Sequence, residues 1–388
     1  MTKSIVSKYW LIIFVVCNIC AQYYLTSSIA NYLFYFLQIV AAILIVSYAK
    51  FLFLKNTIKR FPFVYWYAII LIGYQFTFGL FFISDKTWTY LVAKILVDFA
   101  IIISLSKNSK FYEKEFYPVI GLLTSIFLIF GYLTHNTIFA GRQTLGFWNP
   151  NSTGSISAIC FGTIFIMKSM KLRVRYVVAA ICLLGVLLSG SRSAMGIVII
   201  SLFIKYGFNY KLIGFSILML FVVFVLLPAM DIQFIGISRF SDAIVSNDFT
   251  SGREIEREST KYMIRESPWF GNGIYSQQDE EASKISVLGS HNAFLDFLKW
   301  FGYPIGLFLI SIILFYVLQL YTFFRNTNNL DIKAHLFVIV AVLLAANYEA
   351  YIWGVNQMIT TMFFLSLSLL QKKYYDLKYL RRYESKKL

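Results

Sequence analysis

Long apolar runs follow one another along most of the 388-residue chain, and short polar segments separate them. A helix needs about 20 mostly apolar residues to cross a bilayer, and by this rule the chain contains about twelve spans. The pattern therefore predicts an all-α polytopic membrane protein. The predicted spans are roughly 9–27, 29–49, 62–83, 88–106, 116–134, 150–168, 174–190, 192–206, 210–230, 292–324 (with a break), 334–352 and 354–371.

One long polar stretch, at residues 231–290, interrupts the apolar pattern. It predicts a long extracytoplasmic loop, in which Thr250 or Ser251 can cap a helix near residues 252–266. The expected organisation is transmembrane helices 1–9 in residues 1–230, the loop in 231–290, transmembrane helices 10–12 in 291–371 and a basic cytoplasmic tail in 372–388.

Basic side chains recur every four positions along the predicted loop helix, at Arg253, Arg257 and Lys261. Three glutamates interleave with them, so a solvated helix with ion pairs between neighbouring turns is an alternative interpretation. Arg253 differs from the others because it lies in the first turn, beside Gly252. Backbone N–H groups and an arginine fork can converge there on an anion.

The apolar run that follows the loop is interrupted. Residues 291–300 are too short to cross a bilayer, and they end in Phe301-Gly302-Tyr303-Pro304. Broken helices within a membrane are tolerated mainly where they line a cavity. We therefore expect His291, at the start of this broken helix, to lie at the rim of an outward-facing cavity.

Composition supports the membrane assignment and sets an orientation. The chain is 59% hydrophobic and only 14% charged, with a net charge of +16. Most lysines and arginines fall in alternate short loops and in the tail, as the positive-inside rule requires for cytoplasmic segments, so nucleic acid is not an expected partner. This distribution predicts a cytoplasmic N-terminus and an external loop. The four cysteines lie in apolar segments and do not suggest a disulfide framework.

Three arginines near predicted outer span ends are candidates for binding an anion: Arg142, Arg192 and Arg253, each beside or near a glycine. The planar guanidinium matches phosphate oxygens, although an arginine at a span end can also be a snorkelling anchor. Arg192 stands between two apolar runs with almost no loop. A charged group in that position is a functional candidate.

His291 is the candidate general base, because an imidazole changes its charge near neutral pH. A structural histidine bonded to a carbonyl is the alternative. Weaker candidates for contact with a sugar or an acceptor are Asn149, Asn151, Asn292, Asp296 and Glu349. Asn149 and Asn151 can instead cap the helix that begins there, and Asp296 or Glu349 can instead orient the base. The spacing of these residues shows no metal-binding motif, and no cofactor is expected. Lys94 and Asp98, four residues apart within a span, predict an internal ion pair.

An ordered set of motifs resembles the O-antigen polymerase/ligase superfamily of bacterial membrane glycosyltransferases, of Wzy and WaaL type. The matching pieces are Asn149-Pro150-Asn151, Gly190-Ser191-Arg192-Ser193-Ala194, Ser251-Gly252-Arg253, Pro268-Trp269-Phe270-Gly271-Asn272-Gly273, Ser290-His291-Asn292 and Gly302-Tyr303-Pro304-Ile305-Gly306. The motif matches run from about residue 142 to residue 306, with the long outer loop before the histidine.

The resemblance implies a substrate, a glycan carried on undecaprenyl diphosphate at the outer face of the bacterial cytoplasmic membrane. It also implies metal-independent transfer. By this resemblance Arg192 and Arg253, helped by Arg142, bind the diphosphate, and His291 accepts the proton of the attacking hydroxyl. We favour an O-antigen or capsule polysaccharide polymerase, for which a chain-length regulator is a candidate partner.

Two alternatives stay open from the sequence. An O-antigen ligase uses the same machinery but transfers the glycan to lipid A-core. A carrier or flippase for lipid-linked oligosaccharides also suits about twelve spans, although such folds usually contain two related halves. No internal repeat is visible in this chain, which favours an enzyme over a carrier.

Overall fold

The computed structural model describes residues 2–78, 85–134, 142–207, 214, 254–274, 291–355 and 357–384. Several predictions fall outside these residues: Arg253 with Ser251 and Gly252, the span at 210–230, and most of the loop at 231–290. The division of the chain at residues 230, 290 and 371 stays a prediction.

The described residues form helices and contain no β-strand. The helices are α1 (Thr2–Gln22), α2 (Ser27–Ser47), α3 (Ala49–Leu52), α4 (Lys55–Arg60), α5 (Pro62–Thr77), α6 (Asp85–Lys114), α7 (Phe116–Thr134), α8 (Pro150–Ile166), α9 (Leu172–Ser189), α10 (Arg192–Tyr206), α11 (Glu254–Glu266), α12 (Ala293–Phe324), α13 (Leu330–Ala345) and α14 (Met358–Glu384).

Among the described helices, six are long and apolar enough to cross a membrane, and the all-helical membrane class is thereby supported. They are within α1, α2, α6, α7, α9 and α12. The prediction of about twelve spans is not confirmed, because α5, α8, α10 and α13 have only 15 to 17 residues. Proline begins α5 and α8, and glycine follows α10, so backbone chemistry bounds these helices at those ends.

Helices at the centre and at the periphery differ in what they expose. On α2, Tyr32 is 80% exposed and Val46 is 77% exposed, which is typical of a surface that faces lipid. Helix α8 is instead buried on nearly all sides by α7, α9, α10 and α13. A helix that is enclosed all round belongs to the core. The motif Asn149-Pro150-Asn151 lies at the start of this enclosed helix.

Lys94 and Asp98 of α6 form the ion pair that their spacing predicts. The Nζ of Lys94 lies 2.8 Å from Oδ1 of Asp98, and the two side chains are only 2% and 3% exposed. The same ammonium lies 3.3 Å from the ring centroid of Phe364, on α14. The pair thus joins α6 to α14 within the core.

Helix α12 is broken at Gly302, within the segment where the sequence predicts the break. Gly302 has φ 71° and ψ 175°, and Pro304 follows it. A break in a helix leaves backbone carbonyls without their helical partners. Here the carbonyls of Lys299 and Trp300 accept hydrogen bonds from the N–H groups of Asn272 and Gly273, at 2.8 and 3.0 Å.

The segment 268–273 is therefore docked onto the break. The Tyr303 N–H donates to the Pro268 carbonyl at 2.7 Å, and the Tyr74 hydroxyl donates to the Trp300 carbonyl at 2.7 Å. These bonds tie the end of the predicted outer loop to α12 and α5. Because α11 lies directly before this segment, the docking also fixes α11 against α12.

Helix α14 continues into the predicted basic tail. The helix extends to Glu384, and ion pairs anchor its last turns. Asp376 contacts Arg60 of α4 at 3.0 Å and Lys372 at 3.2 Å, while Lys373 contacts Glu113 of α6 at 2.6 Å. These pairs hold the basic end of α14 against α4 and α6.

Candidate functional site

A cavity of about 230 Å³, which we call the histidine cavity, opens beside the start of α8, α12 and α14. Polar side chains line it, which is unusual in a chain this apolar. The lining residues include Gln22, Asn149, Asn151, Ser152, His291, Asp296, Glu349, Tyr351 and Gln357. Polar groups that converge in a cleft mark a candidate binding or catalytic site.

His291 holds an uncommon backbone conformation at the rim of this cavity. Its φ is 49°, in the left-handed region that non-glycine residues rarely adopt. Directly after it, the side chain of Asn292 accepts hydrogen bonds from the N–H groups of Phe294 and Leu295, and so caps α12. The cap fixes where the helix begins. The imidazole is therefore positioned by a tight turn at the helix start, half-buried at the rim.

A continuous chain of polar contacts leads from the imidazole to an arginine. The Nδ1 of His291 lies 3.3 Å from Oε2 of Glu349. The other carboxylate oxygen of Glu349 accepts a hydrogen bond from Nδ2 of Asn151 at 3.1 Å. The amide oxygen of Asn151 accepts a short hydrogen bond from the guanidinium of Arg142. Four residues from separate parts of the chain thus orient one another.

Arg142 also contacts the turn that carries Arg192. Its Nε donates to the Ser189 carbonyl at 3.1 Å, at the last residue of α9. The next residue, Gly190, adopts φ 60°, a left-handed conformation that ends α9 and lets the chain reverse into α10. Arg192 is the first residue of α10. The two arginine motifs singled out in the sequence therefore meet at one turn.

Helix α11 presents one face to this site and another to solvent. Its inner face carries Thr260 and Ile264, each 3% exposed, in line with Glu256 one turn earlier. The Oε2 of Glu256 lies 3.7 Å from Nε2 of His291. The imidazole thus stands between two carboxylates, that of Glu349 at one nitrogen and that of Glu256 at the other.

The outer face of α11 fits the solvated-helix interpretation. There Lys261 lies 2.6 Å from Glu258, with the two side chains 47% and 63% exposed. The hydrogen bond from Lys261, and its charge, lower the pKa of Glu258. Between the two faces, Arg257 donates to the Asn347 carbonyl at 3.2 Å, two residues before Glu349. The solvated-helix interpretation therefore fits this outer face, and anion binding by the basic residues of the loop helix stays a prediction.

The structure brings together most of the candidate residues. His291, Asn149, Asn151, Asp296 and Glu349 line the histidine cavity. Arg142 joins them through Asn151. Arg192 begins the neighbouring α10 but does not line this cavity among the described residues, and Arg253 lies outside those residues.

Two of the asparagines serve as helix caps, whatever else they contact. The side chain of Asn149 accepts from the Asn151 N–H at 2.8 Å at the start of α8, and Asn292 caps α12. Three lining or neighbouring residues, Glu256, Gln22 and Gln357, were not predicted from the sequence. Nothing in the sequence distinguishes Glu256 from its neighbours, because glutamates and basic residues alternate so closely there that the buried face of the helix cannot be identified.

Comparison with protein families found one match. Residues 177–311 match a family described as O-antigen ligase. Comparison with curated proteins found no match. The matched stretch contains Arg192, Glu256 and His291, and it ends just after the break in α12. The family match supports the assignment, made from the sequence motifs, of this chain to the O-antigen polymerase/ligase superfamily.

Proposed function

We propose that the protein is a polysaccharide polymerase, which joins repeat units carried on undecaprenyl diphosphate at the outer face of the bacterial cytoplasmic membrane. The family match supports a role of the O-antigen ligase or polymerase type, in which members are glycosyltransferase-like enzymes that act on lipid-linked glycans. The observation that carries the proposal is the contact between the imidazole of His291 and the carboxylate of Glu349 at the rim of a polar cavity.

The proposed reaction is a substitution at the anomeric carbon of one lipid-linked glycan. A hydroxyl of the acceptor glycan attacks that carbon and forms the new glycosidic C–O bond. The bond between the anomeric carbon and the diphosphate oxygen breaks, and its electron pair leaves with the lipid diphosphate. The proton of the attacking hydroxyl passes to His291.

The contacts of His291 suggest which nitrogen takes the proton. When Nδ1 carries its hydrogen toward Glu349, Nε2 has a free lone pair and can accept the proton from the hydroxyl. Glu349 then stabilises the imidazolium and holds the ring in one orientation, as the third member of a catalytic triad does. Glu256, 3.7 Å from Nε2, adds a second negative charge beside the protonated ring.

The arginines supply the other half of the proposed mechanism. General-base catalysis contributes about 10²–10⁴-fold, so positioning and stabilisation of the leaving diphosphate must provide much of the remaining acceleration. Arg192 and Arg253 are proposed to bind the diphosphate, whose negative charge increases as the C–O bond breaks. Arg142 contacts both the Asn151 side chain and the turn before Arg192, so it can fix the position of the histidine cavity relative to the start of α10.

A ligase is the second candidate, and the description of the matched family as O-antigen ligase favours it. The two activities share the donor, the base and the arginines, and they differ in the acceptor. A polymerase transfers to another lipid-linked repeat unit, whereas a ligase transfers to lipid A-core. We prefer the polymerase because the pieces Asn149-Pro150-Asn151 and Gly190-Ser191-Arg192-Ser193 look more like those of polymerases.

A gel of surface polysaccharide tests the proposal. Cells that lack the protein are complemented with the wild type or with His291→Ala, and the glycans and their carriers are separated. The polymerase predicts that the wild type restores a ladder of long chains, while the variant leaves single repeat units. Membrane abundance of the variant is measured in parallel, so that loss of the protein is not mistaken for loss of chemistry.

Other outcomes would redirect the assignment. Long chains that accumulate on undecaprenyl diphosphate in the deleted cells would identify a ligase. A His291→Ala variant that restores long chains as well as the wild type does would remove His291 as the base and reopen the carrier alternative.

A further inference from the structure

A second and larger cavity lies at the end of the helices opposite to His291. We call it the lysine cavity; it has a volume of about 630 Å³ and lies between α4, α12 and α14. Gln357 in the histidine cavity and Lys378 in the lysine cavity stand at the two ends of α14. With a rise of 1.5 Å per residue, they are about 30 Å apart, close to the thickness of the hydrocarbon core of a bilayer.

The lining of the lysine cavity combines aromatic side chains with amides and positive charges. Lys59 and Lys378 contribute the charges, Gln319 and Gln371 contribute amides, and tyrosines provide most of the remaining wall. No carboxylate lines it among the described residues. Asp376, next in sequence to Tyr375 of the wall, is engaged by Arg60 and Lys372. The cavity thus offers two cations and several hydrogen-bond groups to an anion.

Gln371 offers this wall a buried amide that a ligand could satisfy. Its side chain is 3% exposed, yet neither its amide nitrogen nor its amide oxygen has a hydrogen-bond partner among the described residues. A buried amide without partners costs free energy, so a group that satisfies it is expected. The residue lines the lysine cavity, and a polar ligand there can bond to it.

An apolar groove continues from the lysine cavity along α12 and α5. The groove is about 310 Å³ in volume, and it shares Phe315 and Tyr316 with the cavity. Trp66 and Phe308 form its far end, and their side chains are 52% and 53% exposed. Exposed aromatic side chains of this kind face lipid tails in a membrane protein.

We propose that the lysine cavity and the adjoining groove bind one anionic phospholipid of the membrane leaflet on that side, which the charge distribution predicts to be cytoplasmic. The headgroup phosphate lies between Lys59 and Lys378, and a glycerol or headgroup oxygen bonds to Gln371. One acyl chain lies in the groove past Phe315 and Tyr316. Basic pockets between membrane helices on the cytoplasmic side bind anionic headgroups for the same electrostatic reason.

Lipid titration of the intact purified protein, followed by native mass spectrometry, tests this site. Phosphatidylglycerol and phosphatidylcholine with identical chains are compared on the wild type, on Lys59→Gln/Lys378→Gln and on Gln371→Leu. The matched control is Lys55→Gln/Lys110→Gln, which removes two exposed lysines from the same end of the molecule without touching the cavity. Dihexanoyl phosphatidylglycerol and inorganic phosphate separate binding of a whole lipid from binding of its phosphate.

We expect the wild type to prefer phosphatidylglycerol, and the cavity double variant to bind it about 10–30-fold more weakly than the control variant does. Gln371→Leu should weaken binding by a smaller factor. Equal affinity for the two long-chain lipids, or equal losses in the cavity and control variants, would overturn the site. Two results would show that the acyl groove is wrong and that the ligand is not a membrane lipid. One is binding of the dihexanoyl lipid as tightly as the long-chain lipid, and the other is displacement of the long-chain lipid by inorganic phosphate.

Discussion

Gly271 and Gly302 meet backbone to backbone where the outer segment docks onto the break in α12. Both have left-handed φ values, 70° and 71°. A Cβ added to Gly302 would lie 2.5 Å from the Trp269 carbonyl, and a Cβ added to Gly271 would lie 2.4 Å from the Trp300 carbonyl. Each position is therefore restricted to glycine both by its conformation and by the space around it.

Replacement of Gly302 by alanine should destabilise the protein by at least about 2 kcal/mol, because the left-handed conformation and the clash with backbone atoms add together. Thermal unfolding of the purified protein measures the loss. Gly73→Ala is the matched control, since its new Cβ would meet nothing within 4 Å and it lies within α5. The control should unfold at or above the wild-type temperature, and equal losses in the two variants would contradict the docking argument.

The backbone of His291 predicts a difference between two inactive variants. Alanine keeps the cost of the left-handed φ of 49°, whereas glycine relieves it. We expect His291→Gly to be more stable than His291→Ala by about 1 kcal/mol, although neither makes polymer. Unfolding temperatures of both proteins give this difference. If the alanine variant were the more stable one, the turn at His291 would not be strained.

The two carboxylates beside His291 should contribute unequally. Glu349→Gln keeps the shape of the side chain but removes the charge 3.3 Å from Nδ1, and we expect kcat to fall about 10–100-fold with little change in KM. Glu256→Gln, at 3.7 Å from Nε2, should lower kcat only about twofold to fivefold. Turnover of lipid-linked repeat units by purified protein measures both.

Glu258→Gln is the control for this pair of variants. Glu258 lies on α11 as Glu256 does, but its side chain faces solvent and pairs with Lys261. It should have wild-type kcat. If kcat fell as much for Glu258→Gln as for Glu349→Gln, the loss would reflect the total negative charge of the protein near the site and not the orientation of the imidazole.

Arg142→Lys tests whether geometry matters as well as charge. Lysine keeps the positive charge, but a single ammonium cannot reproduce the fork that contacts the Ser189 carbonyl and the Asn151 amide together. We expect polymer synthesis to fall about tenfold, corresponding to about 1.4 kcal/mol. Arg325→Lys, an exposed position after α12, should be indistinguishable from wild type. Full activity of Arg142→Lys would show that charge alone is sufficient there.

The buried pair in α6 should respond strongly to loss of one partner. Lys94→Met leaves the carboxylate of Asp98 buried without its counter-charge, at a cost of about 3–5 kcal/mol. The double variant Lys94→Met/Asp98→Val should recover most of this loss, because an apolar pair of similar volume avoids the burial of charge. Chemical or thermal unfolding of the wild type, both single variants and the double variant completes the comparison. Additive losses in the double variant would contradict the coupling.

Local chemistry made several features predictable from the sequence. The Gly302-Tyr303-Pro304 segment predicts a helix break, Lys94 and Asp98 are one turn apart, and Asn149 before Pro150 is a helix cap followed by a favoured first residue. Each of these features depends on residues within a few positions of one another. Helical spacing and backbone preference were sufficient to identify them.

Long-range contacts were not predictable in the same way. Asn151 and Glu349 are hydrogen-bonded across 198 residues of sequence, and nothing near either residue indicates its partner. The length of each helix was also not predictable from hydropathy, because an apolar run of about 20 residues can contain a helix of 15 to 17 residues, as α5, α8, α10 and α13 show.

The polar chain that ends at His291 crosses the limits of the recognised family region. Glu256 and His291 fall within residues 177–311, whereas Arg142, Asn151 and Glu349 fall outside. Exchange of that region alone between two relatives would therefore join an imidazole from one parent to an orienting carboxylate from another. In the design of chimaeric enzymes with new glycan preferences, residues 142–151 and 347–351 should be exchanged together with the family region, so that all the contacts of His291 come from one parent.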